Sequence, residues 1–200
     1  METISQALFW IANSLLIPDI ILLLYLFLKS LLLAGSSYNQ FIVKQRNDKL
    51  LNNTIKNLSF DTIQELKELI PSQDNSLYIR YLRDLLNNQP NVAYSEFLIT
   101  NYEIEADKDI SSSKMLSKLV PILGLIGTLI AMSPALVGLS SGDISGMAYN
   151  MQIVFATTVV GLVISMIGLV AQQLRQRWHL QASNNLYYIS QVYNQNNVQQ

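Results

Sequence analysis

The sequence predicts an all-α membrane protein with three spanning helices, and three observations carry that prediction. First, half of the 200 residues are hydrophobic, 14% are charged, and mean hydropathy is positive at +0.25. Second, the apolar residues are concentrated in three stretches, each near the ~20 residues a helix needs to cross a bilayer. These are Leu15 to Ala34 and two runs within Lys118 to Gln173, which flank a loop at Ser140 to Gly146. Third, the basic residues are confined: each lies between Lys29 and Lys118, or is Arg175 or Arg177. The positive-inside bias then puts the middle of the chain and its tail in the cytoplasm, with the N-terminus and the short loop outside. Net charge is −1 and carries no information by itself. No cysteine is present, which excludes disulfides, thiolate metal sites and cysteine-linked lipid anchors.

Taken in order, residues 1–13 form a short outer segment, in which Trp10 suits the interfacial aromatic belt. A cleaved signal peptide begins with a basic region. Here the start is acidic at Glu2, so the first span is expected to be retained. That span covers 14–34. Asp19 follows Pro18 near its outer end. An acid within a membrane reads as functional by default. Its place after a proline, about two turns from the edge, favours a plainer expectation: it caps the helix or reaches the headgroups. Lys29 is expected to snorkel to the inner interface.

Residues 35–117 form a cytoplasmic helical region. Phe41, Ile42, Leu50, Leu51, Ile55 and Leu58 recur at helical spacing, with a break expected at Ser59-Phe60-Asp61 and a stop at Pro71-Ser72. Leu77, Tyr81, Leu82 and Leu85 mark one face of the next helix, which Asn87-Asn88-Gln89-Pro90 ends. A helix from about Val92 runs towards the membrane, with an interruption expected at Ser111-Ser112-Ser113. Glu96, Glu103, Glu105 and Asp107 on it read as a solvated or intersubunit face, because no paired histidines accompany them. No phosphate loop, dinucleotide fingerprint or nucleophile elbow occurs, so nothing points to an enzyme. Span 2 covers 118–139, the outer loop 140–147 and span 3 148–172. Arg175, Arg177, Trp178 and His179 then mark the inner interface of a C-terminal helix and tail, 173–200.

Both later spans carry a stripe of small and hydroxyl residues. In span 2, Gly124, Thr128, Ala131, Ala135 and Gly138 are spaced four, three, four and three. In span 3, Thr158, Gly161, Ser165, Gly168 and Gln172 are spaced three, four, three and four. The bulky side chains Ile122, Ile126, Leu129, Leu136 and Val137, and Phe155, Val159, Val163, Met166 and Val170, point the other way. Small residues let spanning helices approach closely, and packing is the expected role of Gly124, Gly127, Ala131, Ala135, Gly161 and Gly168. For Thr128 and Thr158, spacing alone leaves two readings open: packing, or the lining of a narrow wet path. Neither span holds a charged residue in its apolar interior. A proton relay needs a titrating group, so an ion path here implies a partner chain bearing a membrane acid.

The run PILGLIGTLIAM, followed after a short loop by FATTVVGLVISMIGLVAQQ, resembles the MotA/TolQ/ExbB proton channel family. The match falls on Pro121, Gly124, Gly127-Thr128, Thr158 and Gly161-Leu162. The three-span plan is similar to the TolQ/ExbB branch. The resemblance implies a ring in the bacterial inner membrane, a pentamer, around a dimer of an ExbD/TolR/MotB-like single-span protein whose aspartate carries protons. It implies that Thr128 and Thr158 face that aspartate, that proton-motive force drives rotation, and that no cofactor is needed beyond the coupling ion. That ion is H+, with Na+ left open by the additional hydroxyl of Thr157. Thr157 lies about 100° round the helix from Thr158 and is expected to face a neighbouring subunit. An ion-pathway or subunit-contact role is expected for Thr157 and Ser165. The alternative reading is a non-conducting helical scaffold.

Overall fold

A computed structural model describes residues 2–56, 66–67, 70, 75–88 and 91–195. Five helices account for most of them: α1 (Glu2–Ser14), α2 (Leu16–Lys56), α3 (Leu77–Asn87), α4 (Val92–Ser141) and α5 (Ile144–Gln195). Three stretches are long and apolar enough to cross a membrane: Phe9–Ile42, Val92–Ser141 and Ile144–Gln195. The expected break at Ser59-Phe60-Asp61 and the stops at Pro71-Ser72 and Pro90 lie outside the described residues. The interruption expected at Ser111 to Ser113 does not occur, and α4 runs through it unbroken. Ser111 instead donates to the Lys108 carbonyl at 2.7 Å, as a serine hydroxyl can within the helix it sits in.

The chain divides into two compact units. The first comprises Met1–Gly35 and Ser112–Gln172, the second Ser36–Ser111 and Gln173–Gln200. In the first, Leu23 and Leu26 of α2, Leu116 and Val120 of α4 and Ile164 of α5 form a buried core. The break between α1 and α2 falls at Leu15, and Pro18 explains it. A proline has no N–H for the carbonyl four residues earlier, here that of Ser14, but is tolerated in a helix's first turn. The ten bulky residues opposite the small stripes are all exposed, as on a surface built for lipid or neighbouring subunits.

In the second unit, α3 buries Ile79, Tyr81, Leu82, Leu85 and Leu86. They pack with Leu98, Ile99 and Tyr102 of α4 and Ala182, Leu186 and Ile189 of α5. Tyr81 meets Tyr102 edge to face, with centroids 5.6 Å apart. Glu96, Glu103, Glu105 and Asp107 are exposed on α4, with Glu105 paired to Arg80 and Glu103 accepting from Ser183.

Candidate functional site

The hairpin of α4 and α5 turns on two residues. Gly142 has φ +76°, a conformation suited to glycine. Its N–H bonds the Leu139 carbonyl and the Asp143 N–H bonds the Gly138 carbonyl, the paired bonds of a Schellman stop. Asp143 then opens α5: its Oδ1 accepts the Gly146 N–H at 2.9 Å, as an N-cap does.

Below this turn the two helices lie in close backbone contact. A Cβ placed on Gly161 would be 3.2 Å from the Gly124 Cα and 3.3 Å from the Val120 carbonyl. On Gly168 it would be 2.8 Å from the Ser117 nitrogen. Ala131 and Ala135 are buried on the same stripe of α4. Ser165 donates to the Ser117 carbonyl at 3.0 Å. That carbonyl would ordinarily accept from residue 121, which is Pro121, so the serine meets an acceptor that the proline leaves free. Ser117 in turn bonds Gln172 at 2.9 Å. Ser165 is therefore engaged within the chain.

Thr128 and Thr158 are both half-buried. Thr128 donates to the Leu125 carbonyl at 2.6 Å and Thr158 to the Val154 carbonyl at 3.0 Å, each on its own helix. A hydroxyl has one hydrogen and two lone pairs. With the hydrogen committed to the backbone, each threonine presents an acceptor.

Thr157 differs from the sequence expectation. It is buried inside the chain, and a Cβ on Gly127 would lie 3.1 Å from its Cβ and 3.2 Å from its Oγ1. Asp19 differs as well. It is 7% exposed, makes no capping bond, and its Oδ2 would lie 2.6 Å from that same Gly127 Cβ. The expectation that it reaches headgroups fails because the side chain is buried against Gly127 of α4. Phe9, Ala12 and Asn13 of α1 line a cleft with Leu129, Ile130, Ser133 and Pro134 of α4. Asp19 stands level with Gly127 of α4 and Thr157 of α5.

The second unit holds a polar network that the sequence did not suggest. Arg175 is 4% exposed, and its Nη1 lies 3.2 Å from Asp109 Oδ1. Its other guanidinium nitrogens face the hydroxyls of Ser37 at 3.3 Å and Ser36 at 3.4 Å. His179 Nε2 lies 3.2 Å from Asp109 Oδ2, and His179 Nδ1 lies 2.9 Å from the Tyr102 hydroxyl. The hydrogen bond from His179 and the charge of Arg175 hold the Asp109 carboxyl below the usual carboxylate range, against the effect of burial. Burial pushes the Tyr102 phenol up. The available signal was the i, i+4 spacing of Arg175 and His179, which puts both on one helix face. Among the described residues, no group of three or more His, Asp or Glu converges to hold a metal.

Three apolar helices of spanning length, with two joined by a tight turn and packed through glycines, define a multi-pass helical membrane protein. The model of the MotA/TolQ/ExbB proton channel family matches residues 80–186. The chain belongs to that family, and membership carries a proton-channel role in energy-transducing complexes. A comparison with curated proteins and one with solved structures each give no match.

Proposed function

We propose that the chain is the ring subunit of a motor driven by proton-motive force in a bacterial inner membrane. Subunits assemble as a pentamer, N-terminus outside and C-terminus in the cytoplasm, around a dimer of a single-span protein that carries a membrane aspartate. Proton movement through that aspartate is converted to rotation. H+ is the coupling ion, and no further cofactor takes part.

The observation that carries this reading is the pair Thr128 and Thr158. Each is half-buried in a span without charge, and each has its hydroxyl hydrogen committed to its own backbone. Such oxygens accept a hydrogen bond from a protonated acid on another chain and stabilise its neutral form. The confinement of basic residues to one side supports the orientation. A second reading, a non-conducting scaffold, draws on the close packing of Gly124 on Gly161 and of Gly168 on Ser117, which accounts for the small stripes without any path.

The test is Thr158→Val in the complex reconstituted into vesicles with its single-span partner. The expected result is loss of proton-coupled activity with ring assembly intact. Full coupling in the variant overturns the assignment. Failure to recover any acid-bearing single-span partner on purification favours the scaffold.

A further inference from the structure

Among the described residues of the first unit, Asp19 is the one charged side chain that is buried. Its Oδ2 has no hydrogen-bond partner. Oδ2 and Thr157 Oγ1 border one gap over Gly127, 2.6 Å and 3.2 Å from where a Cβ would stand. The gap exists because residue 127 has no side chain. It lies deep: Gly127 and Thr157 are each roughly 20 Å along their helices from the turn that joins them, at 1.5 Å per residue.

The chemistry of the gap favours one form of the acid. Thr157 donates its only hydroxyl hydrogen to the carbonyls of Ile153 and Val154, each at 3.0 Å. Across the gap it therefore offers lone pairs. Lone pairs oppose a carboxylate and suit the O–H of a carboxylic acid. Among the described residues, no charge is at hand to compensate an ionised Asp19. Between Lys118 and Asp143, α4 has no charged residue, α5 has none before Arg175, and α1 has none after Glu2. On α2 the next is Lys29, ten residues further along. An unpaired carboxylate in such surroundings is strongly disfavoured. A sodium ion needs its hydration shell replaced by several oxygens, and the gap supplies those of Asp19 and Thr157.

We propose that Asp19 is a proton-binding site of the subunit itself, with Thr157 as the acceptor for its acid hydrogen and Gly127 as the residue that makes room. The step is a simple protonation: an O–H bond forms at Oδ2 from a proton that arrives from water, and the same bond breaks on release. Spans 2 and 3 hold no titrating group in their apolar interiors. The subunit brings one of its own on span 1. This proposal deepens the proton-path reading and rests on it for its purpose, while proton binding itself is measurable on the chain alone.

The experiment is infrared spectroscopy of the full-length chain in lipid nanodiscs, in H2O and D2O. A protonated-carboxyl C=O band is expected at pH 7, shifted in D2O and missing from Asp19→Asn. Thr157→Val, which keeps shape and removes the acceptor, is expected to move its frequency. Identical spectra for the native chain and Asp19→Asn overturn the proposal, as does a native band that Thr157→Val leaves unmoved. Carbodiimide labelling of Asp19 at fixed pH, read by mass spectrometry, is expected to be indifferent to Na+. Protection by Na+ assigns the site to that ion and overturns proton binding. A band from Asp19 in a chain whose complex moves no protons defeats the proton-path reading and leaves the site standing. A conducting complex without the band does the reverse.

Discussion

The Ser165 hydroxyl donates to the Ser117 carbonyl, the one acceptor on that turn of α4 that Pro121 leaves without its helical partner. The proline and the serine are therefore a matched pair, although 44 positions separate them in the sequence. Ser165→Ala is expected to destabilise the hairpin by about 1 kcal/mol, the scale of a hydrogen bond between spanning helices. In a Pro121→Ala background, the N–H of residue 121 can take the carbonyl back, and Ser165→Ala is then expected to cost little. Thermal unfolding of the four proteins in detergent gives the coupling. Additive losses exclude the pairing.

The glycines are expected to separate by the space around them. Gly168→Ala forces a methyl to within 2.8 Å of the Ser117 nitrogen, with the Leu116 Cβ at 2.9 Å, and backbone cannot rotate away. A loss of about 2–3 kcal/mol is expected, as for an overpacked core. Gly35 has nothing within 4 Å of its would-be Cβ and lies inside a helix. Gly35→Ala is expected to gain about 0.5–1 kcal/mol from helix propensity. Melting temperatures of the two variants moving in the same direction count against this account.

The hairpin was legible in the sequence because its signals are local. The spacing of Gly124, Ala131, Ala135, Gly161 and Gly168 follows the helical period, and helical period is what buries them on one side. The depth of Asp19 was not legible. Which residue of one span stands level with Gly127 of another is set by packing, which no local pattern along the chain records. The Asp109 network was hidden for a related reason: its aspartate and its histidine lie 70 positions apart, and only the fold joins them.

The Asp109 carboxyl is expected to make the second unit sensitive to acid. Its ordinary value is 3.8, and the hydrogen bond from His179 with the charge of Arg175 lowers it in the folded protein. A group with a depressed folded value contributes stability above its unfolded value and loses it as pH falls through the folded one. The contribution is thus full at neutral pH and declines below about pH 4. Asp109→Asn leaves Arg175 buried opposite a neutral group. A loss of about 2–3 kcal/mol at pH 7 is expected, less than for a fully enclosed pair because Asp109 is partly open to solvent. Unfolding measured from pH 7 to pH 3 is expected to show the gap between native and variant narrowing with acid. A gap that widens excludes the mechanism.

Thr128 separates the motor from the scaffold. Its hydroxyl hydrogen is held by the Leu125 carbonyl, so its role towards another chain is that of an acceptor, and its role in packing is that of a small, branched side chain. Thr128→Val keeps the shape and removes the acceptor, while Thr128→Ser keeps the acceptor and removes a methyl. If the oxygen serves a proton path, proton-coupled activity is expected to fall at least tenfold in the valine variant and to persist in the serine variant, a difference of about 1.4 kcal/mol or more in the barrier. If the side chain only fills space, the order reverses: valine is tolerated and serine loosens assembly. Proton flux and ring stability, measured side by side on the two variants in vesicles, therefore give opposite rankings for the two readings, and the ranking is independent of how much either variant is expressed.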